Sequence, residues 1–281
     1  MKTKPLLILC LLLSWSCQTK NSAAWRPLFN GENLEGWDTY LGPAYDSVSK
    51  KMDSTKVVGL NNDINGVFKV VQIDNRTALR ISGQHFGGIS TREEFKNFHL
   101  KLEFKWGNLK SNPRKDRKRD RGLLYQAVGA HGADYGFWMR SQEFQIQEGD
   151  CGDYWGVAGA IMDVPAEGSE REKYVYNAKR KLLTFSEQSA QYRRCNKNSD
   201  AENPSGEWNT VELYCMGDTA VHVMNGKTVM VLYRSRQLDG DKETPLKQGK
   251  IQLQSEGAEI FYRAIQIQPI SRIPEDILNP E

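Results

Sequence analysis

The sequence predicts an all-β protein folded as a single β-sandwich or jelly roll. Three observations carry that prediction. Apolar residues recur with a period of two, short runs are punctuated by glycine, asparagine and aspartate, and few stretches hold a sustained helical period. Many short strands without a linker or internal repeat fit one domain, which is expected to span residues 25–271 and to be followed by a C-terminal tail, 272–281.

The N-terminal stretch MKTKPLLILCLLLSWSCQTK combines two lysines, an apolar run from Leu6 to Leu13 and small residues just before Cys17. That pattern predicts an export signal over 1–16. The run is too short for a mature membrane span, which needs about 20 residues. Cys17, preceded by Ser16 and followed by QTKNSAA, resembles a bacterial lipoprotein cleavage site, with 17–24 as a short tether. The expectation is an exported protein of the periplasm or cell surface whose membrane contact is a lipid on Cys17; a plain secretory signal ending nearby is the alternative. Cleavage before Cys17 removes Lys2 and Lys4 and leaves 36 basic against 35 acidic residues. Nothing in that balance suggests nucleic acid. The basic cluster KSNPRKDRKRDR, Lys110 to Arg121, is interrupted by acids and a proline and lacks interleaved aromatics, so it reads as a solvated loop.

FHLKLEFKWG, Phe98 to Gly107, puts Leu100, Leu102, Phe104 and Trp106 on one face and charged residues on the other. It is a half-exposed strand. TVELYC and AVHVMNGKTVMVLY give strands around Asn225-Gly226, a dipeptide suited to a tight hairpin. KIQLQSEGAEIFYRAIQIQP predicts a second hairpin around Glu256-Gly257. KYVYNAKRKLL, Lys173 to Leu183, is too short and too aromatic to read as a helix. Discarding Cys10 and assigning Cys17 to lipid leaves three cysteines, an odd number. Cys151 and Cys195 lie in polar, turn-rich sequence and could be joined in an oxidising compartment, whereas Cys215 alternates with Val211 and Leu213 and reads as a buried hydrophobe. No cysteine pair has zinc-site spacing.

EFQIQEGDCGDYWG, Glu143 to Gly156, concentrates polar chemistry in one strand and turn. Strand alternation places Glu143, Gln145 and Gln147 on one side and Phe144 and Ile146 on the other. One face is core, and the other displays an acid and two amides.

PLFNGENLEGWDTY, RGLLYQ, SQEFQIQEGDCGDYWG, GEWNTVEL and GKIQLQSEGAEIFYRAIQI occur in the order seen in the 3-keto-disaccharide hydrolase-like domain family, which this chain resembles from Trp25 to Pro269. The resemblance implies a concanavalin A-like jelly-roll β-sandwich of two antiparallel sheets, an exported protein and a saccharide or keto-saccharide substrate. Two departures stand out: Asp120-Arg121 where many members have asparagine-serine, and Glu256 near a position where a histidine is common. Glu143, Gln145 and Glu148 also look like the Glu-x-Asp-x-x-Glu signature of retaining glucanases with glutamine as the middle residue. Retention needs two carboxyls about 5–5.5 Å apart, and a bulge would be required to bring Glu148 to the face of Glu143.

The chemistry implied by the family needs one base. In a 3-keto-glycoside the C2 hydrogen lies beside a carbonyl, so a base removes it and the enolate expels the C1 substituent. Glu143 is the first choice for the base and His131 the second, while Arg121, Tyr125 or a bound metal could stabilise the enolate. Trp138, Gln145, Glu148, Asp150, Asp153, Tyr154 and Trp155 complete the expected substrate site. Gly149 and Gly152 let the loop 150–156 fold back as a wall, with Trp155 stacked on a sugar ring and Asp153 bonded to its hydroxyls. His85, His99 and His222 read as surface or strand histidines. Glu143, Glu148, Asp150 and Asp153 supply enough oxygens for a divalent cation such as calcium, although their spacing matches no standard loop. The competing reading from another class is a non-catalytic carbohydrate-binding sandwich.

Overall fold

The computed structural model describes residues 24–279, which form two antiparallel sheets, one of twelve strands and one of eight, packed across a single apolar core. This is the expected jelly-roll sandwich. In strand Phe98–Lys110 the alternation buries Phe98, Leu100, Leu102, Phe104 and Trp106, as the period of two predicts. From the opposite sheet, strand Arg140–Gln147 sends Phe144 and Ile146 into the same core. The Phe144 ring centre lies 4.5 Å from that of His222, which belongs to strand Thr219–Met224 of the twelve-stranded sheet. His222 is fully buried. Its Nδ1 donates to the Gly152 carbonyl at 3.0 Å, so Nε2 is left to accept the Tyr125 hydroxyl at 3.1 Å. Burial pushes the imidazole down to about 4, so it packs as a neutral group.

Asn225 and Gly226 both take positive φ, 48° and 79°, and join Thr219–Met224 to Lys227–Asp239 in the predicted two-residue hairpin. Glu256-Gly257 behaves differently. Strand Lys250–Ser255 pairs within the eight-stranded sheet and Ala258–Pro269 within the twelve-stranded one. The expected second hairpin is therefore a crossover between the sheets, with positive φ at Gly257 alone. Residues 173–183 form the short strand Val175–Tyr176 and reach the start of Leu182–Phe185. The single helix among the described residues, Glu275–Leu278, accepts a bond from Thr228 Oγ1 at the Ile277 carbonyl, 3.1 Å.

Cys151, Cys195 and Cys215 are all buried and free. The expected Cys151–Cys195 disulfide is not formed. Cys195 sits opposite Tyr154 in the ladder, and the two thiols donate to different carbonyls, Gln147 O at 3.3 Å and Asn196 O at 3.8 Å. The signal sequence, Cys10 and Cys17 lie outside the described residues.

The core location of Phe144 makes Phe144→Ala expected to lose about 3–5 kcal/mol of unfolding free energy. Val48→Ala, at a residue 89% exposed, should stay within about 0.5 kcal/mol. Urea denaturation of the two variants beside the native protein checks the contrast; equal midpoints would place Phe144 outside the core.

Candidate functional site

Four strands of the eight-stranded sheet, Asp120–Val128, Arg140–Gln147, Tyr154–Val157 and Lys250–Ser255, present their outward residues to a cavity of about 460 Å³. That volume lies in the range of small-molecule sites, about 300–1,000 Å³. The three outward residues predicted from alternation, Glu143, Gln145 and Gln147, all line it. Arg114 reaches in from the loop before Asp120, Asp134, Tyr135 and Trp138 come from the loop after Val128, and Arg193 and Arg194 close the far side. Glu256 enters from the crossover between sheets.

Glu143 is paired across the sheet with Trp155 on one side and Leu124 on the other. Its carboxyl lies directly over Gly122, where an added Cβ would stand 2.2 Å from Oε1. Gly122 is needed here for space, since any side chain would displace the acid. Glu143 is 6% exposed and accepts no hydrogen bond among the described residues. Burial, reinforced by the charges of Asp120 and Glu256, pushes its carboxyl well above the usual range, with Arg193 opposing. Burial likewise pushes Glu256 up to about 8, against the Arg114 guanidinium 3.0 Å away. The other arm of Arg114 donates to Asp120, which also accepts Gln145 Nε2 at 2.8 Å and is itself raised by burial. Arg193 holds Asp134 at 3.3 Å and Glu187 at 3.2 Å.

Of the residues singled out in the sequence, Glu143, Gln145, Trp138 and Trp155 meet in the cavity. Arg193 and Arg194 lie 5.5 and 5.4 Å from the ring centre of Trp155, whose buried Nε1 has no partner among the described residues. Trp138 Nε1 is tied to the Gly87 carbonyl at 3.0 Å, which fixes its ring at the wall.

The remaining residues lie elsewhere. Tyr125 and Tyr154 point inward and are fully buried, their hydroxyls bonded to His222 and to Gln142 Oε1 at 2.8 Å. Arg121 also points into the core, because it neighbours the outward Asp120 on a strand. His131 stacks on Tyr40 at 5.4 Å and bonds Ser90 Oγ at 3.0 Å, outside the cavity lining. Glu148 lies past the strand end, gripped by Arg119 at 2.6 Å, so no Glu143–Glu148 pair forms as in a retaining glucanase. Asp150 pairs with Lys118 at 3.4 Å, and Asp153 takes Arg194 at 2.7 Å and the Lys197 amide at 2.9 Å. Asp150 and Asp153 share Arg194, at 3.6 and 2.7 Å, while Glu148 is held by Arg119 and Glu143 stands in the cavity, so the four do not converge. Among the described residues no group of three or more His, Cys, Asp or Glu side chains is placed to hold a metal ion.

Sequence reasoning missed Arg114, Asp134, Arg193 and Glu256 as site residues. Arg114 was hidden in a charged loop, and Arg193 stands about 50 residues along the chain from Glu143. The one available signal for Asp120 was alternation, which puts it on the face of Gly122 and opposite Arg121.

The family model of the 3-keto-alpha-glucoside-1,2-lyase-like domain matches residues 24–268. A protein provisionally described as a glycosyl hydrolase from Parabacteroides distasonis is similar in structure, with 20% identity, a TM-score of 0.48 and coverage of 88% of this chain and 100% of its own. A carbohydrate-binding module, CBM66, from Bacillus subtilis has 7% identity and a TM-score of 0.42 over 72% of this chain and 91% of its own. No curated protein matches.

The raised carboxyl of Glu256 sets a pH dependence of stability. A carboxyl at about 8 in the fold, against an ordinary 4.5, binds more protons folded than unfolded between those values. Its contribution to stability therefore falls as pH rises through that window. Glu256→Gln removes this titration, so its melting temperature should gain on that of the native protein as pH rises from 4.5 to 8. Parallel melting curves across the window would contradict the assignment.

Proposed function

The chain belongs to the 3-keto-alpha-glucoside-1,2-lyase-like domain family, and from that premise we propose that it cleaves the glycosidic bond of a 3-keto-glycoside in the Glu143 cavity. The observation that carries this reading is the Glu143 carboxyl, 6% exposed on the cavity face and pushed well above the usual range, with Arg193 and Trp155 lining the same cavity. A carboxyl whose proton affinity is raised in a nearly dry cavity is suited to taking a proton from a bound ligand. A keto-sugar has the matching pattern, an acidic C–H next to a carbonyl oxygen.

In this scheme the ionised Glu143 takes the C2 proton, and the C–H electron pair moves into the C2–C3 bond as the C3 oxygen becomes an enolate. Arg193 and Trp155 donate to that oxygen. The enolate electrons then form the C1–C2 double bond as the C1–O bond breaks. The leaving oxygen takes a proton from Glu256, which is largely protonated below its midpoint of about 8. Addition of water across the new double bond would complete a net hydrolysis. Because Glu143 must be ionised and its carboxyl is pushed upward, kcat/KM is expected to fall on the acid side at a pH above the ordinary carboxylate range.

The test is release from a chromogenic 3-keto-glucoside. Glu143→Gln should lower kcat by about 10²–10⁴-fold, the usual contribution of a general base, with its melting temperature retained. Equal rates would remove Glu143 as the base. Saccharide binding by calorimetry without turnover of any keto-sugar would instead identify a carbohydrate-binding sandwich. We further propose export with lipidation at Cys17: Cys17→Ser should shift the protein from the membrane to the soluble fraction, and unchanged fractionation would refute the anchor.

A further inference from the structure

Arg121 is fully buried, yet its Nε, Nη1 and Nη2 have no hydrogen-bond partner among the described residues, and no carboxylate stands within ion-pair distance. The Tyr262 hydroxyl on the facing sheet is likewise buried and unpartnered. The place of the guanidinium is fixed by Gly83. A Cβ on that glycine would lie 2.2 Å from Arg121 Nη2, 2.3 Å from Ala258 O and 2.6 Å from Ala258 N, and Gly83 also has φ of +78°. The guanidinium is therefore wedged against the crossover, two residues beyond Glu256. Asp120, the preceding residue in the same strand, bridges to Gly257 in that crossover. A cation thus lies under the cavity floor, beneath the two acids that Arg114 spans from above.

We propose that Arg121 is a positioning residue for the cavity, a sealed cation that acts through its charge on Asp120 and Glu256 from the core side. Its own charge persists at neutral pH, since burial lowers the guanidinium only to about 10. An isolated buried cation is strongly unfavourable, and Asp120 and Glu256 offset that to the extent that they are ionised, Glu256 most fully above its midpoint of about 8. The reciprocal effect favours the ionised form of both acids against burial and against each other. The other charged groups facing Glu256 are Arg114 from the loop above, Asp134 from the loop after Val128 and Glu143 from the neighbouring strand. Arg114 acts in the same direction as Arg121, while Asp134 and Glu143 oppose both. With Arg114 partly solvent-exposed and Arg121 sealed, the buried arginine is the member of the pair that salt screens least.

This inference rests on the reading that the Glu143 cavity is the working site, but its test uses no turnover. Infrared difference spectra across a pH titration report the protonated carboxyls of the full protein, and Glu256→Gln identifies the Glu256 contribution. Arg121→Met keeps the length and apolar volume of the side chain without the charge. It should move the Glu256 midpoint upward from about 8 by about one pH unit, a tenfold gain in proton affinity, and Arg121→Lys should restore most of the shift. Arg121→Gln is read in the same way if the methionine variant does not fold. A purely space-filling arginine predicts lowered melting temperature with an unmoved midpoint, and that result would overturn the proposal. Failure of the native protein to cleave any keto-sugar would count against the proposed reaction and leave the titration result standing.

Discussion

The structure depends most on one constraint: several carboxyls must share a nearly dry sheet face. Asp120 and Glu256 raise the proton affinity of Glu143, and Asp120 that of Glu256, on top of what burial does to all three. A face like this is tolerable only with nearby cations and with space for each acid. Gly122 supplies space by leaving bare backbone under Glu143, and Gly83 does the same for Arg121. Two glycines on opposite sides of the sheet thus make room for an acid outside and a base inside.

The cations are held before any ligand arrives. Arg114 spans Asp120 and Glu256, Arg193 is tied to Asp134 and Glu187, and Arg194 to Asp153. Exposed ion pairs are worth little to stability, roughly 0–1 kcal/mol. These are partly or wholly buried, and their value lies in fixed geometry. Asp153, expected from the sequence to meet sugar hydroxyls, instead orients an arginine that does line the cavity. The crossover at Glu256-Gly257 adds a further link, because a change in its position moves Glu256 on the outer face and the Arg121 contact in the core together. Sheet packing and site electrostatics are coupled through that single turn.

The fold was legible because it rests on local periodicity. Leu100, Leu102, Phe104 and Trp106 declare one face of a strand, and Glu143, Gln145 and Gln147 declare the other face of a second. What stayed hidden depends on partners distant in sequence. Tyr125, Tyr154 and Arg121 were chosen for their chemistry, yet each sits on the inward phase of its strand, between outward neighbours such as Asp120, Gly122 and Trp155. Glu256-Gly257 has the composition of a hairpin turn, and no local feature says that its two strands join different sheets. The two departures noted from the family pattern, Asp120-Arg121 and Glu256, prove to be neighbours across this crossover.

Trp155 shows how recognition by stacking and by edge-on donation would differ. A ring face offered to a pyranose rewards apolar area and discriminates weakly, since a small change in apolar contact is worth about 1–3 kcal/mol. With Arg193 and Arg194 near its ring, the indole instead presents a buried N–H beside Glu143. A buried donor that lacks a partner penalises any ligand unable to supply an acceptor, because the donor has already lost its water. The same holds for Arg193 Nε. On the proposed reading, selectivity at this wall would be set by where a sugar carries its oxygens. A carbonyl oxygen that gains charge during reaction satisfies both donors better in the transition state than in the bound substrate, which is the condition for such contacts to raise kcat and not merely affinity.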